Sequence, residues 1–133
     1  MQTRDSILRT DQRDCVFYAC ETTGDFDLTY VSPAIFGLFG YTVEFSLTTK
    51  SFWADRIHPE DRNRVFSEIG KLFEAGNHVH SYRFCHANGH YIPVQDKLVL
   101  LVGPEGGPKE LVGKMIPIAS AASAGGIDST ASV

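Results

Sequence analysis

The sequence has few cysteines, no long apolar run and no concentration of basic residues, and each shortage excludes a class of protein. The three cysteines, Cys15, Cys20 and Cys85, form no CxxC pair, which argues against a disulfide framework and favours a reducing compartment. The longest apolar run, Leu98–Val102, is far shorter than the roughly 20 residues of a membrane-spanning helix. Segment 1–13 is mostly polar and lacks the pattern of a signal peptide. We therefore expect a soluble, cytoplasmic protein.

The charge pattern makes nucleic acids and anionic membranes poor partners. The formal net charge is −4, and the basic residues are scattered along the chain rather than gathered in a stripe. A length of 133 residues with 43% hydrophobic residues is enough for one domain with a sizeable core, but not for two.

The first part of the chain predicts a β-hairpin and then a short helix. Residues 15–20 read CVFYAC, which favours a strand, and residues 26–32 read FDLTYVS, which alternates apolar and polar side chains. The next stretch reads SPAIFGLFGYT, in which Pro33 suits a first helical turn and Gly40 a helix end. Two later stretches, TVEFSL and SFWADRI, each have room for one helical turn.

The longest predicted helix begins at Pro59 and ends at Gly76. Its apolar residues fall on one face, at Val65, Phe66, Ile69, Leu72 and Phe73. The residues at its start are His58, Pro59, Glu60 and Asp61, which would also suit an acid–base or metal cluster. We interpret them as a helix start, because proline and acids favour the first turn. Adjacent residues point about 100° apart on a helix, so Glu60 and Asp61 are not expected to aim at one substrate or ion.

The rest of the chain predicts three strands, over 78–86, 91–102 and 110–119. Asn88-Gly89 between the first two predicts a type I′ hairpin turn, and Pro93 predicts either a bulge or full pairing only beyond it. The predicted fold class is α+β, a five-stranded antiparallel sheet with helices on one face, in the order β-β-α-α-α-β-β-β. Residues 1–14 are expected to be a lead-in or short helix, 15–118 the domain, and 119–133 a flexible linker or tail.

Several short motifs, in order along residues 15–118, resemble those of PAS domains. They are Tyr30-Val31-Ser32-Pro33, Phe39-Gly40-Tyr41, His58-Pro59-Glu60-Asp61-Arg62, Tyr82-Arg83-Phe84, Asn88-Gly89 and Val112-Gly113. The HPEDR helix start is similar to that of one PAS subgroup. The chain departs from the family where its fourth strand lacks the usual tryptophan and where PIASAAS replaces the usual Asp-Ile-Thr ending. That second departure concerns the connection to whatever follows the domain.

The resemblance implies a regulatory module rather than an enzyme. PAS domains sense a ligand or a partner and pass the change to an output domain, such as a histidine kinase or a cyclic-dinucleotide enzyme. We therefore expect a sensor or interaction domain of a larger signalling protein, a homodimer, with a small-molecule ligand as a further partner. Two alternatives stay open: a ligand-free PAS-fold module used only for association, and a small α+β enzyme with His58, Glu60 or Asp96 as acid or base.

Strand parity, matched to the family, predicts the residues that face the interior. The candidate ligand-pocket residues are Phe36, Phe39, Trp53, Phe66, Ile69, His80, Tyr82, Phe84, Val94, Asp96 and Met115. The same side chains would equally well fill the interior and leave no pocket. On the opposite face of the sheet, Arg83, Cys85, Gln95 and Lys97 form a candidate surface for a partner domain or a second subunit.

No catalytic residue or metal site is predicted, and the cofactor is left open, with none required. Some PAS domains bind haem or flavin, but the long helix has no histidine, CxxCH is absent, and TKSFWADRI lacks the cysteine of a photoreactive flavin site. His78, His80 and His86 share strand parity and His90 lies across the turn, but the nearby Cys85 faces the other way.

Overall fold

The computed structural model describes residues 14–118, which form one five-stranded antiparallel sheet and four helices. The strands are β1 (Val16–Cys20), β2 (Leu28–Val31), β3 (Asn77–Cys85), β4 (Tyr91–Val102) and β5 (Pro108–Pro117). The helices are α1 (Ala34–Phe39), α2 (Val43–Thr48), α3 (Phe52–Arg56) and α4 (Pro59–Ala75). The order across the sheet is β2-β1-β5-β4-β3. The lead-in or helix expected before residue 14 and the tail expected after 118 lie outside the described residues.

The predicted α+β class is confirmed, with four helices where the predicted order has three. Both stretches with room for one turn, TVEFSL and SFWADRI, contain a separate short helix. Helix α2 is capped because the Thr42 side chain accepts a hydrogen bond from the Phe45 N–H at 3.0 Å. These short helices connect the β1–β2 hairpin to the long helix.

Helix α4 begins and ends where the sequence predicts. The His58 imidazole Nδ1 accepts a hydrogen bond from the Glu60 N–H at 3.1 Å, so this histidine caps the helix. Gly76 ends the helix with φ of 86° and donates its N–H to the Leu72 carbonyl at 2.7 Å. The His58–Asp61 motif is therefore a helix start, as interpreted from the sequence.

Pro93 causes no bulge between β4 and β3, which corrects part of the expectation for this strand. The two strands pair in unbroken register, with Arg83 opposite Pro93. The Arg83 N–H and carbonyl point away from β4 and bond Asp61 and His58 instead. The missing N–H of Pro93 therefore costs no hydrogen bond between β4 and β3. Pairing of β4 with β5 begins only at Val94, as expected after a residue without an N–H.

The β3–β4 hairpin is present, but its turn is not of type I′. Gly89 has φ of 101°, whereas Asn88 does not have positive φ. The Gly89 N–H bonds the His86 carbonyl at 2.8 Å, and the His86 N–H bonds the His90 carbonyl at 2.7 Å. This is a three-residue loop that closes on a left-handed glycine, the next most common hairpin connection.

Strand β2 is shorter than predicted because Phe26, at φ of 57°, belongs to the preceding turn.

The core lies between one sheet face and the four helices. Its centre is aromatic: the Phe39 and Phe84 rings lie 5.1 Å apart edge to face, and Phe52 packs on Phe84 at 6.1 Å. Within residues 14–118, no helix has both the length and the apolar character needed to cross a membrane.

Candidate functional site

A buried carboxylate, Asp96, lies at the centre of a polar cluster inside the apolar core. Its side chain is 0% exposed. The Tyr18 hydroxyl donates to Asp96 Oδ1 at 2.6 Å, and the Tyr82 hydroxyl donates to Oδ2 at 2.7 Å. The Trp53 indole N–H donates in turn to the Tyr82 oxygen at 2.7 Å. The cluster therefore joins strands β1, β3 and β4 through one carboxylate, and reaches helix α3 through the Tyr82 hydroxyl.

Register across β5 lets Tyr18 reach Asp96. Tyr18 on β1 lies opposite Gly113, while Met115, two residues further along β5, lies opposite Asp96 on β4. A Cβ atom at Gly113 would lie 2.8 Å from the Tyr18 hydroxyl and 2.5 Å from the Lys97 carbonyl oxygen. The missing side chain leaves the space through which the tyrosine crosses the intervening strand. Sequence parity did not single out Tyr18, because this contact depends on the register of both strand pairs.

Burial is the largest influence on the pKa values of the residues in this cluster. Burial raises the pKa of Asp96 to about 7, against the opposing effect of the two tyrosine hydrogen bonds. Burial and the nearby Asp96 carboxylate raise the pKa values of Tyr18 and Tyr82 well above the usual range. The pKa of Cys20 is raised as well, first by burial. Asp96 is thus the member of this cluster that exchanges its proton near neutral pH.

The interior beside the cluster is filled by side chains. Two cavities adjoin Tyr18 and Trp53, and each holds only about 10 Å³. A cavity of this size is at the lower limit for one water molecule, whereas small-molecule sites enclose roughly 300–1,000 Å³. Neither cavity accommodates a haem or a flavin in this conformation.

Ten of the eleven predicted pocket residues face the interior, and one does not. The buried ones are Phe39, Trp53, Ile69, His80, Tyr82, Phe84, Val94, Asp96 and Met115, and Phe66 is half-buried against them. Phe36 is 63% exposed, so the prediction that it lines an interior pocket is wrong and it lies on the surface. Helix α1 buries Ile35 and Phe39, which are one turn apart, and Phe36 is rotated about 100° from Ile35 toward solvent.

The acids at the start of α4 bind an arginine of the neighbouring strand. Asp61 Oδ2 accepts from the Arg83 main-chain N–H at 2.9 Å and from its Nε at 3.0 Å, and Asp61 Oδ1 accepts from a terminal nitrogen at 2.8 Å. The same terminal nitrogen lies 3.3 Å from Glu60 Oε1, so one guanidinium contacts both acids. These hydrogen bonds hold the pKa of Asp61 down at about 2.

A second cluster of ionisable groups lies where α4 packs on β3. His80 is 6% exposed, and its Nδ1 lies 3.0 Å from Glu68 Oε1. His78 Nε2 lies 3.6 Å from the same oxygen. Burial lowers the pKa of His80, and although burial of Glu68 acts to raise its pKa, the hydrogen bond from His80 and the charge of Arg64 outweigh that effect and lower it. The shared strand parity of the histidines was visible in the sequence, but Glu68 as their partner was not.

An open groove of about 750 Å³ lies on the surface between the short helices and the β3–β4 hairpin. The Arg56 guanidinium lies over the rings beside it, 4.4 Å from the centre of Phe52, 5.0 Å from Tyr41 and 5.5 Å from Phe45. The Tyr41 hydroxyl donates to the Cys85 carbonyl at 2.7 Å and ties the groove to the end of β3. This groove is larger than either of the two interior cavities beside Tyr18 and Trp53.

Comparisons with known proteins agree with this architecture. The N-terminal domain of a diguanylate cyclase with PAS/PAC sensor from Marinobacter aquaeolei is 28% identical, with a TM-score of 0.67 over 77% of this chain and 94% of that one. A PAS domain from Colwellia psychrerythraea (18% identity, TM-score 0.68, 78% and 86% covered) and a sensory box histidine kinase/response regulator from Burkholderia thailandensis (20%, 0.61, 80% and 78%) share the fold. No curated protein matches the chain. The family model of the PAS fold matches residues 28–115, and the chain belongs to that family.

Proposed function

We propose that this domain is a regulatory PAS module of a larger signalling protein, and that the Asp96 cluster is the part of its interior that changes state. The observation that carries the proposal is the fully buried carboxylate whose two oxygens are held by Tyr18 and Tyr82. An isolated buried charge is costly, and a core retains a polar group of this kind only with its hydrogen bonds satisfied. The domain itself is not an enzyme in this proposal.

The cluster connects elements that a signal would have to move together. Asp96 on β4 contacts β1 through Tyr18 and β3 through Tyr82, and Tyr82 continues the chain to Trp53 on α3. A proton, ligand or partner that prefers one hydrogen-bonding arrangement shifts the domain toward it by its differential affinity. The sheet would pass that shift to an output domain, for which a cyclase or a histidine kinase is the candidate suggested by the similar structures.

Association with a partner is supported better than a preformed ligand chamber. The interior cavities of about 10 Å³ leave no room for a small molecule unless the core repacks. The surface, by contrast, carries the groove beside Arg56 and exposed apolar side chains at Phe36, Phe45 and Leu47. We therefore place a protein partner, including a second copy of the chain in the cytoplasm, ahead of a bound metabolite.

A chimera tests the regulatory role. The full chain would replace the PAS/PAC sensor of the Marinobacter diguanylate cyclase, and cyclase activity would be measured for the parent chimera, for Asp96→Asn and for the control Glu105→Gln on an exposed turn. The proposal expects Asp96→Asn to change the cyclase rate and Glu105→Gln to leave it unchanged. Equal rates for both variants, matching those of a Gly/Ser linker in place of the domain, would reject it.

Native mass spectrometry and light scattering separate the two kinds of partner. A mass equal to two bare chains supports association without a ligand. An added mass that survives purification would instead show that the core opens to admit a ligand. A bound metabolite would then rank ahead of a protein partner.

A further inference from the structure

We propose that Glu68, His78 and His80 form a binding site for a divalent transition metal ion, with Zn²⁺ as its best-fitting occupant, that clasps helix α4 to edge strand β3. The site is distinct from the Asp96 cluster and does not depend on the function proposed above. The sequence predicted no metal site, because the cysteine nearest to the histidines, Cys85, faces the other way. Folding supplies a carboxylate from Glu68 on α4.

The spacing of the ligand atoms suits a metal ion. One ligand atom from each of the three side chains lies within 4.8 Å of the others. The separations from Glu68 Oε1 are 3.0 Å to His80 Nδ1 and 3.6 Å to His78 Nε2. With bonds of about 2.0–2.1 Å in tetrahedral geometry, neighbouring ligand atoms lie roughly 3.3 Å apart, between those two values.

One of these ligand atoms has no hydrogen bond to satisfy it. His78 Nε2 is buried and unpartnered in the described part of the chain, and it faces the Glu68 carboxylate from just beyond hydrogen-bonding distance. Buried polar atoms without a partner are rare. An ion pair between Glu68 and His80 alone does not explain why a second imidazole, that of His78, approaches the same oxygen. A metal ion between the three groups would engage His78 Nε2 and replace the proton between His80 Nδ1 and Glu68.

The donor set selects the class of ion. Two imidazoles and one carboxylate suit Zn²⁺, and also Co²⁺ or Ni²⁺, whereas Mg²⁺ and Ca²⁺ prefer six or more oxygen ligands. The His78 and Glu68 side chains are 18% and 24% exposed, so an ion can enter from solvent and keep a water as its fourth ligand.

Arg64 is the group that competes with the ion. Its guanidinium lies 3.4 Å from Glu68 Oε1, and another of its nitrogens donates to the Ser81 carbonyl at 2.8 Å. Because the pair with Glu68 is exposed, it contributes little, and Arg64 keeps the Ser81 bond when it is displaced. Removal of its charge should therefore tighten metal binding.

The test uses calorimetric titration of the full chain with ZnCl₂, with Mg²⁺ as the comparison ion and Co²⁺ absorption as a report of tetrahedral coordination. We expect one Zn²⁺ per chain and no Mg²⁺ binding. His78→Gln and Glu68→Gln, both at partly exposed positions, should each weaken Zn²⁺ binding by at least about 10-fold, since even indirect contacts to a metal are worth that much. Arg64→Gln should strengthen it severalfold.

The matched control is the double variant His86→Gln/His90→Gln. These two rings stack at 4.8 Å on the β3–β4 hairpin and are the obvious place for adventitious zinc. The proposal requires this variant to bind Zn²⁺ as the parent does. Loss of binding in the control, unchanged binding in both His78→Gln and Glu68→Gln, or no binding by the parent would each overturn it. Circular dichroism of every variant shows that the fold is retained.

Discussion

Tyr18 and Asp96 are hydrogen-bonded at 2.6 Å although they are 78 positions apart in the chain. They lie on strands that do not pair with each other, since β5 lies between β1 and β4. The tyrosine side chain crosses that strand above Gly113 and reaches the carboxylate from the next strand but one. The polar cluster of this domain is therefore a property of sheet order as much as of residue type.

Removing the Tyr82 hydroxyl should destabilise the domain. Tyr82→Phe leaves the Trp53 N–H and one Asp96 oxygen buried without a partner, and each such group costs roughly 1–3 kcal/mol. We expect the free energy of unfolding, measured by urea denaturation, to fall by about 2–4 kcal/mol. The control is Tyr91→Phe at a ring that is 40% exposed, where the change should stay within about 0.5 kcal/mol. Equal losses of unfolding free energy in the two variants would show that the buried Tyr82 hydroxyl contributes no more stability than an exposed one.

Stability should decline as pH rises toward neutrality because of Asp96. Its pKa in the fold is about 7 against 3.8 for the ordinary group, so its contribution is fully present below about pH 4 and is lost as pH rises to about 7. At about 1.4 kcal/mol for each pKa unit, the decline is a few kcal/mol.

Asp96→Asn isolates this effect. The asparagine does not titrate, so the unfolding free energy of the parent should fall relative to that of the variant from pH 5 to pH 7.5. Tyr18, Tyr82 and Cys20 face the same carboxylate and stay neutral throughout, because their pKa values are raised. His80 on β3 titrates in both proteins and cancels in the difference. A difference that does not vary with pH would contradict the raised pKa.

At low pH the contact between the start of α4 and β3 should weaken. The hydrogen bonds from Arg83 lower the pKa of Asp61 to about 2, so the stability that they contribute is present above about pH 4 and is lost as pH falls toward 2. Because the Arg83 side chain is exposed to solvent, which screens the pair, we expect only a small loss of unfolding free energy. Asp61→Asn and Arg83→Gln should each cause this loss at pH 7, and the double variant should cost little more than either one. Additive losses in that double-mutant cycle would mean that the two side chains do not act as a pair.

Two glycines should respond in opposite directions to alanine. At Gly113 the added methyl would lie 2.5 Å from the Lys97 carbonyl oxygen, and the backbone cannot yield cheaply. Gly113→Ala should therefore lower the unfolding free energy by about 1–3 kcal/mol or more and disturb the Tyr18–Asp96 bond. Gly70, in the middle of α4, has open space around it, and Gly70→Ala should raise stability by about 0.5–1 kcal/mol. Thermal unfolding of both variants measures the contrast.

Local signals in the sequence predicted local structure well. Helix α4 was predictable from Pro59 to Gly76, because its cap, its apolar face and its terminal glycine are all encoded within one segment. Inward-facing residues on β3 and β4 were predictable for the same reason, since parity along a strand assigns its faces. Phe36 was misjudged because a six-residue helix has too few turns to show which side is buried.

Contacts between distant segments were not predictable, and they form both candidate sites. The sequence by itself determined the strands, the long helix and the family, because hydrophobic period and helix-end residues act over a few positions. Only the tertiary structure decided that Tyr18 would bind Asp96 across β5, that Arg83 would bind Asp61, and that Glu68 would meet His78 and His80. Those meetings depend on sheet order, register and the packing of α4 on β3. No single segment encodes them, because each partner lies on a different element and becomes a neighbour only when the elements pack.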